Sequence, residues 1–113
     1  MIKDTWVDVD GEAARSWFLP RLRRHYTEEA GAWWVLDGGH GFTSPERLQG
    51  QVDRTATSAV VGSPDEVAAR FGQIADAGVD TIVARVNFDF VSDRELGEQL
   101  ELLAATVLKA VTA

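Results

Sequence analysis

The feature that most constrains this chain is a run of structural punctuation between residues 61 and 80. Val61-Gly62-Ser63-Pro64 opens it, Glu66 stands three residues after Ser63, and Ala77-Gly78-Val79-Asp80 closes it. Ser63 and Glu66 have capping-box spacing, in which each side chain satisfies the other residue's free amide at a helix start. Pro64 suits the first helical position, where a missing N–H costs nothing. Asp65 and Glu66 place negative charge at the positive end of the helix dipole. Val67, Phe71, Ile74 and Ala75 recur at helical spacing and predict one apolar stripe. Gly78 can adopt the left-handed conformation that ends a helix. Apolar residues precede the run, and residues 80–88 follow it as an expected strand with Ile82, Ala84, Val86 and Phe88 on one face. Strand, capped helix, tight turn and strand are the grammar of an α/β fold.

The same grammar recurs elsewhere. Residues 5–9, with Trp6, Val7 and Val9, read as a short strand. Asp10 is placed to cap the next helix, whose apolar face is Ala13, Ala14, Trp17 and Phe18. Pro20 lacks an N–H and clashes with the preceding turn, so a break is expected there, with a second helix over residues 21–29. Residues 31–54 are the least regular part. Asp37-Gly38-Gly39-His40-Gly41 is rich in turn formers, and Thr43-Ser44-Pro45-Glu46 announces another helix containing Leu48 and Val52. Ser92 and Glu95 repeat the capping box, and Leu96, Leu100, Leu103, Val107 and Val111 predict a closing helix of about five turns.

At 113 residues, with 45% hydrophobic and 26% charged side chains, the chain is expected to form a single domain over 1–113 with a modest core. A formal net charge of −7 disfavours a phosphate backbone as partner, so no nucleic acid is expected. The absence of cysteine removes disulfides, thiol catalysis and thiolate metal sites, and suits a reducing compartment. No stretch approaches about 18 continuous apolar residues, and Met1-Ile2-Lys3-Asp4 has no signal-peptide profile. The expectation is a cytoplasmic protein without a membrane partner.

The segments Val61-Gly62-Ser63-Pro64, Glu66-Val67-Ala68, Arg70 and Ala77-Gly78-Val79-Asp80 resemble the carboxyl end of luciferase-like monooxygenases. So does the closing helix from Leu100-Glu101-Leu102-Leu103 through Val107-Leu108. The likeness covers residues 59–111 well, residues 4–26 weakly and residues 31–54 poorly. Where the family has a proline after the Val-Leu pair, this chain has Lys109. The resemblance implies a flavin-dependent oxidoreductase built on a (β/α)8 barrel, using FMN or a deazaflavin. A closed barrel needs roughly 250 residues, so the implied fold is a partial TIM-type barrel of two or three parallel strands covered by helices. Such a segment would be inactive alone. It would act with a partner chain completing the barrel or as a homo-oligomer. The alternatives are a stand-alone small-ligand or flavin-binding module, and an oligomerising structural remnant without a ligand.

No catalytic residue and no metal site is assigned. Arg85 and Asn87 alternate with apolar residues towards the carboxyl end of the last expected strand, the functional face of a barrel, and are candidates for cofactor binding. An arginine inside an apolar strand needs a partner, which a local aspartate would supply. Trp33 and Trp34 are candidates for stacking on a planar ring such as isoalloxazine. His40 beside Asp37 lies in a glycine-rich turn, and a single histidine without a second strong ligand makes no metal site. His25 belongs to a basic run that reads as a solvated helix face. Gly62-Ser63-Pro64 opens a helix without the glycines of a phosphate cradle and reads as structural. Asp4, Asp8 and Asp10 read as a solvated edge, with Asp10 used as a cap.

Overall fold

The computed structural model describes residues 1–36 and 45–112, with side chains described outside 30–36 and 45. The elements in order are β1 (Ile2–Val7), α1 (Gly11–Leu36), α2 (Pro45–Ser58), β2 (Val60–Gly62), α3 (Pro64–Asp76), β3 (Val83–Arg85) and α4 (Asp93–Leu103). α4 runs on through a π-helical turn, Ala104–Leu108, into α5 (Lys109–Thr112). Among the described residues no helix is long and apolar enough to cross a membrane.

Three parallel strands form one sheet in the order β2–β1–β3. Thr5, Trp6 and Val7 pair with Val60, Val61 and Gly62 on one edge of β1, and Ile2, Lys3 and Asp4 pair with Val83, Ala84 and Arg85 on the other. The expected α/β class, with parallel strands covered by helices, is therefore present. The strand order is not that of consecutive barrel strands, each of which lies beside its neighbours in sequence. Here β1 separates β2 from β3.

The order explains the layers. Crossovers between parallel strands keep one hand, so a chain that leaves β1 in one direction and then crosses back over it places its helices on opposite faces. Trp6 packs with Ala14, Phe18 and Leu22 of α1, whereas its neighbour Val7 packs with Val60, Val67, Phe71, Ile74 and Val107. Alternate residues of β1 thus feed two apolar cores, as the period of a strand requires. β2 splits the same way, Val60 to the α3 side and Val61 to the α1 side.

Local signals were realised where they depend on neighbours in sequence. Ser63 Oγ accepts from the Glu66 amide at 3.2 Å, and Glu66 Oε1 accepts from the Ser63 amide at 3.0 Å. Ser92 and Glu95 repeat this at 3.1 and 3.0 Å. Gly78 has φ +103°, the left-handed stop. Val67, Phe71 and Ile74 are buried, while Ala75 is exposed.

Long-range packing corrected other expectations. α1 is continuous through Pro20, without the expected break and second helix. Pro20 and Ser16, whose carbonyl loses its partner, are both exposed, so water can serve that carbonyl. On the opposite side Phe18 and Leu22 are fully buried and keep the helix packed on the sheet. The first strand is Ile2–Val7 rather than 5–9, and Val9 is exposed.

β3 is shorter than the expected 80–88 and does not keep its apolar residues on one face. Ile82 and Ala84 pack in the α3-side core, whereas Val86 and Phe88 pack with Phe18 and Trp6 on the α1 side. After Arg85 the chain leaves β1 to make that contact, and the edge of β1 beyond Asp4 loses its strand partner. α4 takes the vacated place. Gln99 Oε1 accepts from the Val7 amide at 2.6 Å, and Gln99 Nε2 donates to the Val7 carbonyl at 2.9 Å. The carboxamide thereby substitutes for one residue of a missing strand, and Gln99 is buried.

Gln99→Leu leaves a buried N–H and C=O of β1 unpaired, at about 1–3 kcal/mol for each group. A loss of about 2–6 kcal/mol in chemical denaturation is expected. Gln99→Glu should cost at least as much, because a carboxylate cannot donate to the Val7 carbonyl and sets a buried charge against it.

Candidate functional site

In a sheet whose strand order reverses, the helices that follow the two diverging strands leave a crevice beyond the strands' carboxyl ends. Here the reversal lies between β1 and β3, and a crevice of about 360 Å³ opens there. Trp6, Val7 and Asp8 of β1 and its exit form the floor. Ala13 and Trp17 of α1 form one wall, and Glu95, Glu98, Gln99 and Leu102 of α4 form the other. Gln99 therefore both completes the edge of β1 and lines the crevice.

The walls are fixed by local chemistry. Asp10 Oδ1 accepts from the amides of Glu12 and Ala13 at 3.0 and 3.2 Å, and Asp8 Oδ1 accepts from the Asp10 amide at 2.9 Å. Gly11 permits a close approach to α3, since a Cβ there would lie 2.0 Å from Glu66 Oε1 and 2.9 Å from the Ser63 nitrogen. Arg15 then ties α1 to Glu66 at 2.9 Å. Trp17 stacks on Trp6 with centroids 4.9 Å apart and carries the Arg21 guanidinium 4.6 Å from its ring centre. Trp6 also stacks on Phe18.

The electrostatics are one-sided. Asp8, Glu95 and Glu98 line the crevice. The Ser92 amide, donating to Glu95, holds that carboxyl below its usual range. Glu98 is paired with Arg94 at 3.0 Å. The first free amides of α1, which would otherwise attract an anion, are already bonded to Asp10. The crevice is thus suited to a neutral or cationic group.

Arg85 stands elsewhere, at the end of β3 and away from the crevice lining. Its partner is not a local aspartate but Asp4, across the sheet. Arg85 Nε donates to Asp4 Oδ1 at 2.8 Å, Tyr26 Oη donates to Asp4 Oδ2 at 2.5 Å, and Arg85 also donates to the Tyr26 hydroxyl. Asp4 is buried and fully engaged, so the triad fastens α1 to both β1 and β3. Burial, followed by the hydrogen bond to Asp4 and the negative charge of Asp4, pushes the Tyr26 hydroxyl well above its ordinary value. Asn87 is exposed, and its side chain makes no hydrogen bond among the described residues. Arg85 is taken up in the Asp4–Tyr26 triad, and Asn87 lies outside it.

Trp33 and Trp34 belong to the helical backbone of α1, but their side chains lie outside those described; Asp37 and His40 lie outside the described residues altogether. His25 is not simply a solvated face, since it contacts Asp89 and Glu29. The residues that sequence reasoning missed are Trp17 and Gln99 as crevice walls and Tyr26 as a strut. Trp17 was read only as core. Gln99 sits among solvated residues of its helix, and nothing nearby in sequence marks it.

No known protein family, characterised protein or solved structure matches this chain.

Tyr26 is the single tyrosine of the chain, so tyrosinate absorbance reads it alone. A hydroxyl whose folded pKa is raised contributes stability below the unfolded value of about 10 and loses it as pH rises above that value. Alkaline titration should show no tyrosinate until the protein unfolds. In Tyr26→Phe the decline in stability over that range should be smaller.

Proposed function

We propose that this chain is a small-ligand-binding α/β module whose ligand enters the crevice at the carboxyl end of β1. The observation that carries this reading is the crevice's place, between α1 and α4, the helices that follow the adjacent strands β1 and β3. Its volume of about 360 Å³ falls within the range of small-molecule sites. The ligand is neutral or cationic. In this crevice FMN and phosphate-bearing deazaflavins, which the resemblance to luciferase-like monooxygenases implies, are disfavoured. Their phosphate would meet Asp8, Glu95 and Glu98, and the stacking surface of Trp17 is engaged by Trp6 and Arg21.

The test is a nuclear magnetic resonance titration with matched neutral, cationic and anionic small molecules, including riboflavin and FMN as an uncharged and charged pair. Shifts of the Val7 amide, the Trp17 indole and the Gln99 carboxamide are expected from neutral or cationic members. FMN should bind at least tenfold more weakly than riboflavin if either binds. Tighter binding of anions, or shifts that avoid these three groups, would refute the assignment.

A second reading is a luciferase-like oxidoreductase segment that works only in an assembly. It is favoured by the strand–helix–strand course of residues 60–85 and by an apolar groove of about 330 Å³, while the strand order β2–β1–β3 weighs against it. Leu100, Leu108 and Val111 are half-exposed at that groove. On this reading the purified chain has the mass of a homo-oligomer and Leu108→Glu returns it to a monomer. A wild-type monomer at high concentration rejects self-assembly.

A further inference from the structure

The ring of His25 stands between two carboxylates. Its Nδ1 lies 2.9 Å from Asp89 Oδ1, and its Nε2 lies 2.9 Å from Glu29 Oε2. An ionised carboxylate only accepts, and a neutral imidazole has one N–H and one lone pair. A neutral ring therefore satisfies one neighbour and sets a lone pair against the other. Only the imidazolium presents an N–H to both. The ring cannot easily turn away, because its side chain is 18% exposed and it meets Tyr26, Phe88 and Phe90 edge-on with centroids 5.2, 5.4 and 6.1 Å away.

Asp89 belongs to the segment that joins β3 to α4. Among the described residues no other ion pair or side-chain hydrogen bond engages it. We propose that His25 is a proton-operated latch: protonated, it donates to Asp89 and Glu29 at once and holds residues 88–91 against α1, and on losing its proton it can donate to only one of the two, so its hold on Asp89 weakens. The surrounding charges do not compete for this role. From α1, Arg21, Arg24 and Glu28 border the same small hollow, with Glu29 on the ring itself. From the sheet, Asp4 and Arg85 reach it through Tyr26. Arginine keeps its charge, which leaves the imidazole as the group here suited to gain and lose a proton.

The segment matters to its surroundings. Phe90 packs on Phe18 and on Trp17, with centroids 5.7 and 6.0 Å away, and Ser92, the cap of α4, follows directly. Release would loosen the link that the Phe90 segment makes between α1 and the start of α4. The latch itself does not require that crevice to hold a ligand.

The experiment uses the full chain carrying His40→Gln, so that His25 is the one histidine left. Its ring nitrogens and the backbone amides of residues 88–91 are followed by nuclear magnetic resonance as pH is varied. The expected result is a common midpoint for ring and segment, with hydrogen exchange at Phe90, corrected for intrinsic rates, severalfold faster on the alkaline side. Asp89→Asn should abolish the segment's transition while the ring still titrates. Asp89 is 74% exposed, so the replacement should leave the fold intact, which thermal melting checks. Segment amides that ignore the ring, unchanged exchange at Phe90, or a transition that survives Asp89→Asn would overturn the latch.

Discussion

The backbone of β1 is hydrogen-bonded on both edges, and the remaining elements are arranged by who supplies those bonds. β2 serves residues 5–7 on one side, β3 serves residues 2–4 on the other, and the Gln99 carboxamide serves Val7 where β3 has left. Buried backbone groups must be paired, so an edge strand that ends early beside the central one demands a substitute. A side-chain amide is the group best suited, because it carries one donor and one acceptor in the geometry of a peptide unit. The position of α4 follows from that demand, and with it the crevice between α4 and α1.

The departure of β3 is itself a packing result. Val86 and Phe88 leave the edge and are buried with Trp6, Phe18 and Leu22. That cluster is aromatic and continuous through Phe90 to Trp17. The Asp4–Tyr26–Arg85 triad lies next to it and fastens the same helix with polar contacts. Apolar and polar links to α1 therefore coincide, which explains why Pro20 does not divide that helix.

What was legible in the sequence was local. Two capping boxes, the Gly78 stop and the stripe of Val67, Phe71 and Ile74 are all set by residues within four positions of one another, and each was realised. Strand order, the length of β3 and the continuity of α1 depend on partners dozens of residues away, and no spacing rule contains them. Arg85 shows the boundary: its need for an acidic partner follows from charge and burial, but the partner is 81 positions distant. Gln99 was illegible for the same reason, since its role exists only because another strand ends early.

The central claim is that β1 lies between β2 and β3, and cross-strand nuclear Overhauser contacts test it most directly. The account predicts contacts from Thr5 and Val7 to Val60 and Gly62, and from Ile2 and Asp4 to Val83 and Arg85, with none linking the backbones of β2 and β3. Direct contacts between the backbones of residues 60–62 and 83–85 would place those strands side by side in barrel order and contradict it.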